Sequence, residues 1–226
     1  MTHELRDLAD EKLEAVLLDV DGTLLDSNYH HAIAWDRAFT RSRVGVPLWR
    51  LHRHIGMGGD KLVPAVAGDD VEREHGAALR DAYAEEYDRL IDETRLFDGA
   101  RELLAALQDR GLDVALASSS EPQHAQHAFE LLEADRLTDA ATTAEDAEGS
   151  KPDPELVERA LERLEGRRAC LIGDSVWDVE AAARAGVPAI GVLAGGFGRD
   201  ELYEAGAVVV VDDVRELVDR IEEWLR

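Results

Sequence analysis

The chain is 226 residues long with 49 acidic against 25 basic side chains, a formal charge of −24, and this balance excludes nucleic acid as a partner, because that binding rests on clustered Lys and Arg. Hydrophobic residues make up 45% of the chain, enough for one large domain or a domain carrying an insertion, but no run reaches the roughly 18 apolar residues of a membrane span. Cys170 is the only cysteine, which excludes an internal disulfide and a cysteine-rich zinc site and leaves a buried, inert thiol as its expected state.

Met1 to Lys12 is acidic and lacks an apolar core, so it does not read as a secretory signal, and a cytoplasmic location is expected. Lysine occurs only at 12, 61 and 151. Self-repulsion of this size is screened within a few ångströms in molar salt, and the chain reads as one adapted to a high-salt cytoplasm.

The first expected strand, at 15 to 20, ends in Asp19-Val20-Asp21-Gly22-Thr23. In an extended chain residues i and i+2 share a face, so Asp19 and Asp21 are expected to converge. Like charges so placed persist around a cation, or when one serves as nucleophile or proton donor. An Asx-type turn is the alternative. Residues 28 to 94 then show only helical patterns, at 28 to 42, 47 to 54, 60 to 67 and 69 to 94, an all-helical insertion with linkers at 25 to 27 and 95 to 99. Arg37 to Gly59 lacks any acid and carries Arg37, Arg41, Arg43, Arg50, Arg53, His52 and His54, with Lys61 just beyond. Such a patch either faces an anionic substrate or pairs with the acidic helix after Asp69.

Beyond residue 111, apolar β-type runs at 112 to 117, 168 to 172, 188 to 193 and 207 to 211 alternate with helical segments, which is the βαβ pattern of a parallel sheet covered on both faces. The second strand delivers Ser118, Ser119 and Ser120, donors for phosphoryl oxygens or a helix cap. Lys151 precedes Pro152-Asp153-Pro154, a stiff presentation of a point cation or a turn with Asp153 as N-cap. A third strand ends in Gly173-Asp174, with Asp178 four residues on. Strand tips in such a sheet line one crevice, so these acids reach toward Asp19 and Asp21, and an all-oxygen cluster suits Mg²⁺.

In their order and spacing these four segments resemble the motifs of the haloacid dehalogenase superfamily of phosphotransferases. The insertion is similar to the helical cap of the subgroup with phosphoglycolate phosphatases, β-phosphoglucomutases, phosphonoacetaldehyde hydrolases and dehalogenases. The resemblance implies an α/β fold: a three-layer Rossmann-like core (1 to 26 and 96 to 226) with a cap at 27 to 95. It also implies Asp19 as nucleophile, and Asp21, held protonated, as the acid and base. Ser118, Ser119 and Lys151 would hold phosphate; Asp19, Asp21 (through its carbonyl), Asp174 and Asp178 would surround Mg²⁺, Asp178 lying outermost or on Lys151.

The expected activity is hydrolysis of a small phosphorylated metabolite, 2-phosphoglycolate or a sugar phosphate, by a monomer or small homo-oligomer. Asp21 disfavours a dehalogenase, whose departing halide needs no proton. Lys61 is a candidate Schiff-base lysine for phosphonoacetaldehyde hydrolysis, but Gly56 to Lys61 looks more like a specificity loop. His31 and Trp35 fall where β-phosphoglucomutase has a cap histidine and tryptophan, so a mutase is the alternative, and a catalytically silent binding protein is the alternative of another class. Specificity is expected from His31, Trp35, Arg53, Gly56 and Lys61.

Overall fold

The computed structural model describes residues 12–224, so the signal-peptide reading of the first residues falls outside it. Six strands form one parallel sheet in the order β5-β4-β1-β6-β7-β8: β1 (Ala15–Leu18), β4 (Asp113–Ala117), β5 (Ala140–Thr142), β6 (Ala169–Gly173), β7 (Ala189–Val192) and β8 (Val209–Val211). The mixed α/β class with a parallel sheet is therefore as expected. β1 lies at the centre, with Leu18 in register with Leu116 on one side and Ile172 on the other.

Side-chain alternation sorts each strand onto two covered faces. Val16, Leu18, Val114, Leu116, Cys170 and Ile172 pack with Leu103, Leu104 and Leu107 of the helix Ala100–Asp109 and with Leu217 of Val214–Asp219. Ala15, Leu17, Ala115, Ala117 and Leu171 pack instead with Leu156 and Val157 of Glu155–Arg163, Val179 of Val176–Arg184 and Leu202 of Arg199–Ala205. Three layers result, and burial at β6 pushes the Cys170 thiol up to about 12, the inert state expected of it.

Four helices, Asn28–Arg41, Leu48–His52, Gly59–Ala67 and Asp69–Tyr87, follow β1. Trp35, Phe39, Leu51, Leu62, Val63 and Leu79 close a separate apolar cluster among them. The two segments read as plain linkers are in fact a paired ribbon: β2 (Leu25–Asp26) runs antiparallel to β3 (Arg95–Leu96). Two residues per strand are too few to show a period. β5 escaped notice for a related reason, since Ala140-Ala141-Thr142 carries one β-branched residue and forms a sheet edge.

Candidate active site

The chain reverses direction across the sheet at β1, which opens a crevice at the carboxyl ends of β1, β4 and β6. Asp19 follows β1, Ser118 follows β4, and Asp174 follows β6. Gly22 turns the chain out of the first strand at φ +87°, where a Cβ would lie 2.3 Å from Asn28 Nδ2 and 2.5 Å from Asp174 Oδ2. Gly195 presses in from the far side, its absent Cβ falling 1.7 Å from the same Asp174 oxygen. Only glycine at both positions leaves room for that carboxylate.

Asp19, Asp174 and Asp178 are buried, and one carboxylate oxygen of each lies within 4.8 Å of the others. Lys151, itself 1% exposed, contacts Asp19 directly, reaches Asp178 Oδ1 at 2.6 Å and donates to the Ala117 carbonyl at 3.1 Å. Thr23 donates to Asp174 Oδ1 and Asn28 to Oδ2, both at 2.9 Å. Asp178 also joins a reciprocal cap with Ser175, whose hydroxyl donates to Oδ2 at 2.6 Å.

Three buried carboxylates thus face one ammonium, and charge is left uncompensated. Burial, with the Asp178 charge, drives the Asp19 carboxyl well above its ordinary range; the same two causes lift Asp174 to about 7 against the pull of Asn28 and Thr23. Lys151 is raised despite burial, because Asp178 and Asp19 flank it. An all-oxygen donor set short of positive charge fits a hard divalent cation, and the residues present suit Mg²⁺.

Asp21 departs from expectation. Its carboxylate is not in that cluster but faces the helical insertion, where Ser27 and Ser120 each donate to it at 2.7 Å and His31 Nε2 lies 3.0 Å away. Burial alone would raise this carboxyl, yet the His31 charge and these hydrogen bonds outweigh it and hold Asp21 well below the usual carboxylate range. The side chain is ionised in the resting site, not held protonated, and any contact of Asp21 with a metal falls to its backbone. The strand ends at Leu18, so the expected shared face of Asp19 and Asp21 is lost in the turn.

A cavity of about 90 Å³ opens on Asp19 and Asp21. His31, Trp35 and Gly56 line it as expected, with Met57, Ser119 and Ser120. Ser118 lies just behind, fully buried, its Oγ accepting the Ser120 N–H at 3.1 Å. Trp35 is both wall and core, stacked on Tyr83 at 4.2 Å. Arg53 and Lys61 do not line this cavity. Arg53 pairs with Glu201 and sits 4.1 Å over the Phe197 ring, while Lys61 meets Asp153 at 2.6 Å. Elsewhere in the basic patch Arg41 meets Glu85 at 2.8 Å, Arg37 meets Glu86 at 3.6 Å, and Arg50 donates to the Ala65 carbonyl. Arg37, Arg41, Arg53 and Lys61 thus pair with acids instead of facing the cavity.

The cavity's guanidinium comes instead from the acidic helix, as Arg80, and its phenol as Tyr83, whose hydroxyl lies 2.8 Å from His31 Nδ1. Neither residue stood out in the sequence, since an arginine and a tyrosine on an amphipathic helix read as solvent face and core. Asn28 was also missed as a polar support, and Ser120, read as a phosphoryl donor or a cap, instead donates to Asp21.

The family model for haloacid dehalogenase-like hydrolases matches residues 13–186. N-acetylmuramic acid 6-phosphate phosphatase of Pseudomonas aeruginosa is 30% identical over 95% of this chain and 97% of its own. Phosphoglycolate phosphatase of Nitrosospira multiformis is 30% identical over 93% and 96%. A solved hydrolase from Pseudomonas syringae superposes with a TM-score of 0.88 at 30% identity, covering 94% of this chain and 99% of that one. The chain belongs to the haloacid dehalogenase-like hydrolases, and the enzyme class expected from its motifs, a phosphatase of that superfamily, is the class these curated relatives carry.

Proposed function

We propose that this protein is a Mg²⁺-dependent phosphomonoester hydrolase acting on a small phosphorylated metabolite through an aspartyl phosphate. The observation that carries the reading is the double placement of Asp19, which joins the carboxylate cluster around Lys151 and also opens on the cavity. Attack by an anion on a phosphate dianion needs charge neutralisation and in-line placement more than a strong base. Mg²⁺, held by Asp19, Asp174 and the Asp21 backbone, would supply part of that neutralisation.

Lys151 steadies Asp19 and, with the Ser118 hydroxyl and the main-chain N–H groups around Asp21 and Ser119, takes up charge on the transferring oxygens. Asp19 forms the bond to phosphorus as the alcohol departs. Asp21 serves proton transfer at the leaving oxygen and then at the attacking water, with His31 Nε2 beside it at 3.0 Å. Residues 27 to 95 act as a cap that closes over the core formed by 1 to 26 and 96 to 226, excluding bulk water from the cavity.

Phosphate release from an aryl phosphate tests the reading. It is expected with Mg²⁺ and absent with EDTA. A requirement for an activating sugar bisphosphate, with little free phosphate from hexose phosphates, would point to the mutase instead, and silence under every condition to a binding protein.

A further inference from the structure

The cavity on Asp19 does not end at its own lining. A second chamber of about 200 Å³ adjoins it, and Gly58, Gly59, Arg80, Ser119 and Glu121 line both, forming the neck between them. Gly58 and Asp60 from the helical insertion meet Ser150 of the core at the edge of this chamber, with the Gly58 N–H donating to Ser150 Oγ at 3.0 Å and the Ser150 N–H to Asp60 at 3.4 Å. Ser119, at the neck, has a buried hydroxyl with no hydrogen-bond partner among the described residues.

The charged lining of the second chamber is one-sided. Asp60, Glu121 and Glu148 supply carboxylates, and Arg80 is its one guanidinium. That guanidinium is already neutralised: Glu72 accepts from both its terminal nitrogens at 2.9 Å, and the Gly59 carbonyl takes a further contact at 3.3 Å. A carboxylate or second phosphate on the leaving group would meet like charge here without a free cation. Hydroxyl groups would find acceptors in the carboxylates and a donor in Ser119, while Trp35, Ile55 and Met57 in the first cavity offer an apolar wall for C–H faces.

We propose that the second chamber seats the leaving group and selects phosphomonoesters of neutral polyhydroxylated alcohols, such as hexitols and hexoses, over esters whose alcohol carries its own negative charge. This selection rests on the phosphatase reading above.

The test compares kcat/KM for sorbitol 6-phosphate, 2-phosphoglycolate, pyrophosphate and p-nitrophenyl phosphate in the intact protein and in Glu148→Gln and Glu148→Lys. The wild type is expected to favour the hexitol ester over phosphoglycolate by at least about tenfold. Glu148→Lys should shrink that ratio by about tenfold, mainly through KM, and Glu148→Gln by less. Turnover of the aryl ester with phosphoglycolate or pyrophosphate preferred overturns the selection alone. An unaltered ratio in both variants overturns the role of the second chamber. No release from any ester overturns the phosphatase reading and the selection with it.

Discussion

Lys151 is buried between Asp19 and Asp178, so its removal strands two carboxylates in the interior. Lys151→Met should cost about 3–5 kcal/mol by chemical denaturation in metal-free buffer, the range for breaking a buried ion pair; an unchanged unfolding midpoint would contradict the charge accounting at this site. Asp174 carries the opposite signature. Its folded carboxyl titrates near 7 against an ordinary 3.8, because of burial and the Asp178 charge. A raised acid pKa means the folded state holds a proton that the unfolded state has lost, so between about pH 4 and 7 stability falls as pH rises, and above 7 the deficit is complete. Metal-free Asp174→Asn should therefore melt higher than the wild type at pH 8, by about 2–4 °C for each kcal/mol recovered. The same substitution should abolish stabilisation by added Mg²⁺. A variant that melts lower at pH 8, or still gains from Mg²⁺, would refute the assignment of this carboxylate.

At the scale of elements, the helical insertion meets the core through contacts that sequence reasoning had assigned to substrate. Lys61 to Asp153 and Arg53 to Glu201 each join a residue of the insertion to one of the core, and Gly58 to Ser150 adds a backbone link. These pairs are partly exposed, so each stabilises the observed arrangement by only about 0.2–1 kcal/mol. A double-mutant cycle of Lys61→Ala and Asp153→Ala should show coupling of that size in KM, shrinking in molar KCl, while kcat for an aryl phosphate changes little; coupling that is zero at low salt would remove the contact from the closing equilibrium.

The double reading of the basic patch has a physical origin. An acid-free stretch in an acidic chain looks uncompensated, but its counter-charges arrive from Glu85, Glu201 and Asp153, on elements far along the chain. The core was legible because three of its four motifs stand at the end of an apolar strand, and strand tips in a parallel sheet converge whatever their distance in sequence. Asp21 was misread for a local reason: β1 ends at Leu18, and in the turn beyond it Ser27 and Ser120 hold the Asp21 carboxylate apart from the cluster. Arg80 and Tyr83 stayed hidden because a helix face gains its meaning only from what packs across it.

The whole molecule carries a formal charge of −24, and many acids already sit in surface pairs such as Arg215 to Asp98 and Arg220 to Glu216. The surplus repels itself in dilute buffer and is screened in concentrated salt, so the melting temperature should climb as KCl rises from about 0.1 to 2 M, where the Debye length falls from about 10 Å to below 3 Å. A flat or falling curve would discard the high-salt adaptation. The fold brings three strand tips to one point, and the covalent route proposed above requires that Asp19 carry the phosphoryl group during turnover. Acid quenching during turnover with Mg²⁺, followed by borohydride reduction and peptide mass spectrometry, measures this directly, since reduction converts an aspartyl phosphate to homoserine. The account predicts homoserine at position 19 in the wild type with substrate, and none in Asp19→Asn or without substrate. Turnover with Asp19 unmodified, or with the label on another residue, would contradict it.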